Sequence, residues 1–289
     1  MTKLVFTTTG AWEDSFGFGC ASLGLPGICA NDVRQTAAYG EALEGQVLTG
    51  TYEQLLRQAA GADGQAVHAA IVVFGNMGGE NRFLADLQQH LHCPMVGGGA
   101  AIDPASGRKS LIPGGGEAAV VLVTDDRFTY ETKTLCIHDR VLQTCELTFD
   151  DPRTIHTING EDAAAFYDRK RRELGLSDTD FEHLTLSDLH HVNAHLSIRD
   201  GKLRSGRDVQ KTMLLRYVDH NKVYDTMRNF YDDPDAIVFG CAGLSGLLDR
   251  PLDTTSLGLF LFGEVCMADG CAEFGNLMLS KLLIRKKGA

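Results

Sequence analysis

The chain has 289 residues, 44% of them hydrophobic and 22% charged, which is long enough for one large domain or two of ordinary size, with a substantial core. Its formal net charge of −11 argues against the clustered positive surface that nucleic acid or an anionic membrane demands. It has no apolar run of about 18 residues to insert in a membrane, MTKLVFTTTGAWED makes a poor signal peptide, and eight cysteines without a CxxC pair read as reduced thiols of a cytoplasmic protein.

Leu4 to Thr8 reads as an opening strand, followed by a loop-rich stretch holding Gly17, Gly19, Gly24, Pro26 and Gly27. That glycine spacing matches neither the dinucleotide nor the Walker pattern, so a phosphate loop is not indicated. Tyr52, Leu55, Leu56, Ala59 and Ala60 recur at helical spacing and stop at Gly61. Ala69 to Phe74 is apolar throughout, as in a strand buried on both faces. Phe83, Leu84, Leu87 and Leu91 mark a one-sided helix that runs through Pro94 into a second strand ending at Gly97, Gly98 and Gly99. Helix between two such strands predicts a βαβ crossover. Gly114 to Gly116 predict a tight turn before a third strand, Ala118 to Thr124.

Short alternating strands follow around Thr129 to Leu135, Thr144 to Phe149 and Thr154 to Ile158. Asn159-Gly160 makes a turn, and Ala163, Phe166, Tyr167, Lys170 and Leu174 step along a helix that stops at Gly175. Acid, proline and turn chemistry coincide at Asp150 to Pro152, which predicts a boundary between residues 1–150 and 151–289. Residues 176–210 are polar and histidine-rich, with Asn193 to Arg199 the clearest strand. Val223, Met227, Phe230 and Tyr231 form a helix ended by Asp232, Asp233 and Pro234.

The strongest stretch comes next: AIVFGCAGLSG from Ala236 to Gly246, answered by SLGLFLFGEV from Ser256 to Val265. Val72-Val73-Phe74-Gly75 and Ile237-Val238-Phe239-Gly240 recur 165 positions apart, and Gly97 and Gly263 recur 166 apart. A third strand follows in each case, Asn276 to Leu283 answering Ala118 to Thr124. The expected fold is therefore mixed α/β, with two pseudo-repeated lobes of buried strands and packed helices.

Several side chains invite chemical readings. His190, His191 and His195 suggest a metal, but HVNAHLSIRDG looks like strand and turn, and the plainer reading is a polar sheet edge. Cys266 and Cys271 have loose spacing, and two ligands do not make a site; no metal and no cofactor are expected. Cys241, between glycines at a strand end, reads either as a nucleophile or as a small buried thiol. Glu264 directly after LFLFG needs solvent or a partner, which a ligand ammonium, a cation such as Arg199, or simple exposure would each supply. Arg199 either holds a ligand carboxylate or braces the turn beside Asp200.

TINGEDAAAFYDRKRRELG, the strand-ending Arg199, AIVFGCAGLSGLL and above all LFLFGEVCMADGCAEFGNLMLSKLL resemble the C-terminal part of FIST domains. AIVVFGNMGG, PMVGGGAAID and GGGEAAVVLV resemble the N-terminal part, so residues 1–150 and 151–289 correspond to the two FIST parts. The resemblance implies a bacterial sensory module that binds a small ligand, amino acids being candidates. It implies no enzymatic activity. The matching positions are Arg199, Cys241, Gly263, Glu264 and Asn276, with Gly97, Gly98 and Gly243 in the glycine loops beside them. Val265-Cys266-Met267 departs from the Ile-Gly-Pro with which the family tends to continue. With no kinase or cyclase following, the expected output is a signalling protein in trans. The competing reading is a cysteine hydrolase or transferase using Cys241 with His191 or His195. The expected geometry joins Glu264 and Arg199 in one hollow, Glu264 facing a ligand amino group and Arg199 its carboxylate.

Overall fold

The computed structural model describes residues 2–4, 43–62, 66–75, 78–99, 116–177, 181–248, 250, 252, 257–261 and 263–288. The loop with Gly17, Gly19 and Gly24 lies outside them, as do Val5 to Thr8, Gly114 and Gly115.

Nineteen strands are described. In chain order they are β1 (Thr2–Leu4), β2 (Leu43–Gly50), β3 (Ala69–Phe74), β4 (Met95–Gly99), β5 (Ala118–Val123), β6 (Phe128–Cys136), β7 (Arg140–Asp151), β8 (Thr154–Ile158), β9 (Glu161–Asp162), β10 (Leu184–Ser187), β11 (Asn193–Ala194), β12 (Leu196–Arg199), β13 (Lys202–Ser205), β14 (Thr212–Tyr217), β15 (Ala236–Cys241), β16 (Leu257–Leu261), β17 (Glu264–Ala268), β18 (Cys271–Gly275) and β19 (Met278–Lys286). The α-helices are α1 (Tyr52–Gly61), α2 (Glu80–His90), α3 (Ala163–Glu173) and α4 (His220–Tyr231).

Three sheets result. One has the order β1-β2-β5-β3-β4-β17-β18, a second β16-β15-β19-β6, and a third β11-β10-β14-β7-β8-β13-β12 with β9 on β8. The mixed α/β class and the repeated lobes are both present. In the first lobe β3 runs parallel to β4 and antiparallel to β5, which is antiparallel to β2. In the second, β15 runs parallel to β16 and antiparallel to β19, which is antiparallel to β6. Each lobe is a four-stranded unit with the same pairing.

Alternation along the central strands explains why both read as unbroken apolar runs. Ala69, Ile71 and Val73 of β3 pack with Ile237 and Phe239 of β15 and with Leu282 and Ile284 of β19, so the two sheets meet face to face. Ala70, Val72 and Phe74 point the other way, onto Leu55 and Ala59 of α1 and Phe83, Leu84 and Leu87 of α2. Val238, Leu279 and Leu283 likewise meet Val223, Met227 and Tyr231 of α4. The layers are helix, sheet, sheet, helix. Each large side chain so buried contributes about 1.5–3 kcal/mol.

The repeat is interrupted twice, in ways the spacing does not announce. Residues between β6 and α4 form the third sheet, which encloses its own core with Phe166 and Tyr167 of α3. The hairpin β17–β18 leaves the second lobe and pairs with β4 of the first, Glu264 opposite Gly98 and Val265 opposite Gly97. The predicted boundary at 150 falls at the end of β7, whose Asp151 pairs with Thr154 of β8. The chain does not divide there, because each lobe borrows strands from across that position.

The borrowed hairpin ends in an edge strand that α2 covers. The backbone amides of Ala272 and Phe274 donate to Gln88 Oε1 (2.9 Å) and Asn81 Oδ1 (2.7 Å). Seven residues apart on one helix, these two side chains act in place of a further strand.

Candidate functional site

Two places gather the residues singled out in the sequence. The first is the junction where β17 joins β4. Glu264 opens β17 with its side chain fully buried, between Gly98 on one side and Gly275 on the other. Gly99 donates its amide to the Gly263 carbonyl at 3.0 Å. Gly97, at φ +137°, lies so close to β3 that a Cβ would fall 1.9 Å from the Val72 carbonyl oxygen. Gly263, at φ +84°, would carry its Cβ into the Phe274 ring at 2.3 Å. Gly97 is therefore needed for β4 to lie against β3, and Gly263 for the backbone to enter β17 beside Phe274.

Glu264 Oε2 accepts the Met278 amide at 3.1 Å, and the Cys241 thiol packs beside the carboxyl. Burial drives the Glu264 pKa well above the usual carboxylate range, and the Met278 amide offsets only part of that. Burial, and then the Glu264 carboxyl, also push the Cys241 thiol up. The junction thus holds a neutral acid beside a neutral thiol. A thiolate nucleophile needs the opposite environment, so this geometry lends the Cys241 enzyme reading no support. Gly243, in the short 3-10 helix Ala242–Leu247, leaves room for Leu277, whose Cδ2 a Cβ would approach to 2.9 Å.

The second place is a hollow of about 460 Å³ at the surface of the third sheet, lined by Arg153, His195, Arg199, Asp200, Arg204 and Gly206 among others. Asp200 and Gly201 both have positive φ, +52° and +70°, and turn β12 into β13 as a two-residue hairpin. In that register Ser197 stands opposite Arg204 and Arg199 opposite Lys202. Arg153 pairs with Glu80 Oε2 (2.7 Å) and Asp208 (2.8 Å). Arg204 bonds the Thr154 hydroxyl and reaches Asp151 at 4.0 Å. Arg199 forms no ion pair among the described residues. Burial, and then Arg199, lower the pKa of His195.

Asn276 connects the two places. Its Oδ1 accepts the His195 amide at 3.4 Å, its own amide donates to Asn193 O at 2.9 Å, and its Nδ2 lies where a Gly263 Cβ would come within 2.9 Å. Gly206 leaves room for it, since a Cβ there would stand 2.5 Å from Asn276 Oδ1.

The structure thus brings together Gly97, Gly98, Cys241, Gly243, Gly263, Glu264 and Asn276, but not Glu264 with Arg199. Glu264 is fully buried while Arg199 is exposed, and the two form no ion pair. The expected shared hollow fails because Glu264 does not hang from a strand end: it begins a strand inside a sheet. His190 is exposed and bonds Asp269 (2.7 Å), while His195 is largely buried beside Arg199. Cys266 is buried and Cys271 exposed. Among the described residues no three His, Cys, Asp or Glu side chains are grouped to hold a metal ion, and no helix is long and apolar enough to cross a membrane.

Arg153 and Arg204 belong to the hollow and escaped the sequence reading. The signal for Arg204 is present in LSIRDGKLRS: Asp-Gly between alternating residues marks a hairpin, which places Arg204 on the Arg199 side. Arg153 carries no such signal, because it arrives from another hairpin.

No family model matches the chain, and no curated protein matches it significantly.

Proposed function

We propose that the chain is a bacterial, cytoplasmic sensory module of FIST type that binds a small acidic ligand, such as an acidic amino acid, and signals through a separate protein. The observation that carries this reading is the Arg199 hollow. In a chain of net charge −11, three guanidinium groups line one cavity, and Arg199 has no carboxylate partner among the described residues. An arginine fork suits a carboxylate. Asn276 supports the signalling half, since a ligand that shifts His195 also acts on the hydrogen bond that His195 donates to Asn276. Binding signals only if it favours one arrangement over another.

The test is thermal denaturation at constant ionic strength against aspartate, glutamate, other amino acids and small dicarboxylates. A ligand at 100 times its Kd adds about 2.7 kcal/mol. Arg199→Ala should remove the response. An unchanged response in Arg199→Ala, or none to any compound in the wild type, would overturn the reading.

A further inference from the structure

A second hollow, of about 480 Å³, opens where all three sheets meet, between β6, β14 and the β17–β18 turn. Arg216 of β14 lines it. Arg216 points away from the core that Met213, Leu215 and Tyr217 of the same strand face, and β6 and the β17–β18 turn cover it there, so that it is only 7% exposed.

Arg216 is unlike Arg207, the other arginine deeply buried on this side. Arg207 is met by Asp188 at 3.1 Å and Glu273 at 3.2 Å. Arg216 has no carboxylate within 4.0 Å among the described residues; Nη1 donates to Cys136 Sγ at 3.3 Å, and the buried Nε has no partner. A guanidinium does not escape this cost by losing its proton. An unpaired buried charge is strongly unfavourable and calls for a counterion.

The wall behind Arg216 is fixed. The Cys136 thiol donates to Asn193 Oδ1 (3.4 Å), Asn193 Nδ2 to His138 Nδ1 (3.1 Å), and His138 Nε2 to the Glu182 carbonyl (2.6 Å). Burial lowers His138 to about 4, so its ring is neutral and adds no second positive charge. At the exposed rim stand Asp139, Asp269 and His190, the last two already bonded to each other. One buried cation under an acidic rim suits a singly charged anion and repels a doubly charged one.

We infer that the Arg216 hollow is a binding site for a small monocarboxylate, separate from the Arg199 hollow and lying across the Asn193–His195 segment from it. The carboxylate would take the Arg216 donors that the protein leaves unused.

Titration calorimetry of the full chain with acetate, pyruvate and inorganic phosphate, at constant ionic strength and neutral pH, tests this. Saturable binding of a monocarboxylate is expected, lost in Arg216→Met and weakened about tenfold or more in Arg216→Lys, which keeps the charge but not the fork. Arg199→Ala should bind the monocarboxylate as the wild type does. Arg216→Met should also melt higher than the wild type without ligand, because an apolar side chain replaces an uncompensated charge. Should Arg216→Met fail to fold, the Arg216→Lys titration decides. No binding by the wild type, equal binding by Arg216→Lys, or binding of phosphate alone would overturn the assignment.

Discussion

Met278 donates its backbone amide to Glu264 across the start of β19, and this 3.1 Å contact is the clearest compensation the buried carboxyl receives from the main chain. It holds the carboxyl in place without neutralising it, and three groups of residues far apart in sequence converge there. The proton that Glu264 retains therefore belongs to the folded state.

A carboxyl whose folded pKa is raised holds more protons folded than unfolded between the two values. Stability is then full below the ordinary value of 4.5 and falls as pH climbs above it towards the folded value. Glu264→Gln keeps an acceptor for Met278 and cannot ionise. Urea denaturation should find it close to the wild type at pH 4 and about 1–3 kcal/mol more stable at pH 8. A wild type whose advantage over the variant grows with pH would refute the neutral acid.

Arg153 ties the third sheet to the start of α2 through Glu80, which is 2% exposed and also accepts the Gly78 amide at 2.6 Å. Arg153→Ala strands that carboxylate. A loss of about 1.5–3 kcal/mol in denaturant midpoint experiments is expected. The double variant Arg153→Ala, Glu80→Gln should recover part of it, since the orphaned charge is gone.

The amides of Ala272 and Phe274 test the cover over the outer strand. Hydrogen exchange should quicken selectively at Phe274 in Asn81→Ala and at Ala272 in Gln88→Ala, with about 1 kcal/mol lost in each. Equal protection in the variants would mean that solvent exclusion, and not these side chains, guards the edge.

What the sequence discloses depends on how local its cause is. Val72-Val73-Phe74 and Ile237-Val238-Phe239 announce buried strands because both faces of each are covered, and their recurrence discloses a repeat that the pairing bears out. Helices α1 to α4 follow from the spacing of their apolar positions. Glu264 stands out as an anomaly, yet an acid after an apolar run reads the same whether the strand stops or another begins. Its burial depends on Gly98, a partner 166 positions earlier. Arg216 is hidden for a different reason. In TMLLRY alternation puts Met213, Leu215 and Tyr217 on the core of the third sheet and Arg216 on the other face, and only the approach of β6 and the β17–β18 turn buries that face.

The hairpin lent by the second lobe also constrains how the chain comes into being. On a ribosome β4 emerges with its outer edge bare, and Glu264 follows Gly99 by 165 residues. At about 5–20 residues per second the early sheet waits roughly ten seconds or more for its closing strands, with its backbone donors open to mispairing throughout. Maturation in this protein runs backwards along the polypeptide: a late hairpin finishes an early sheet.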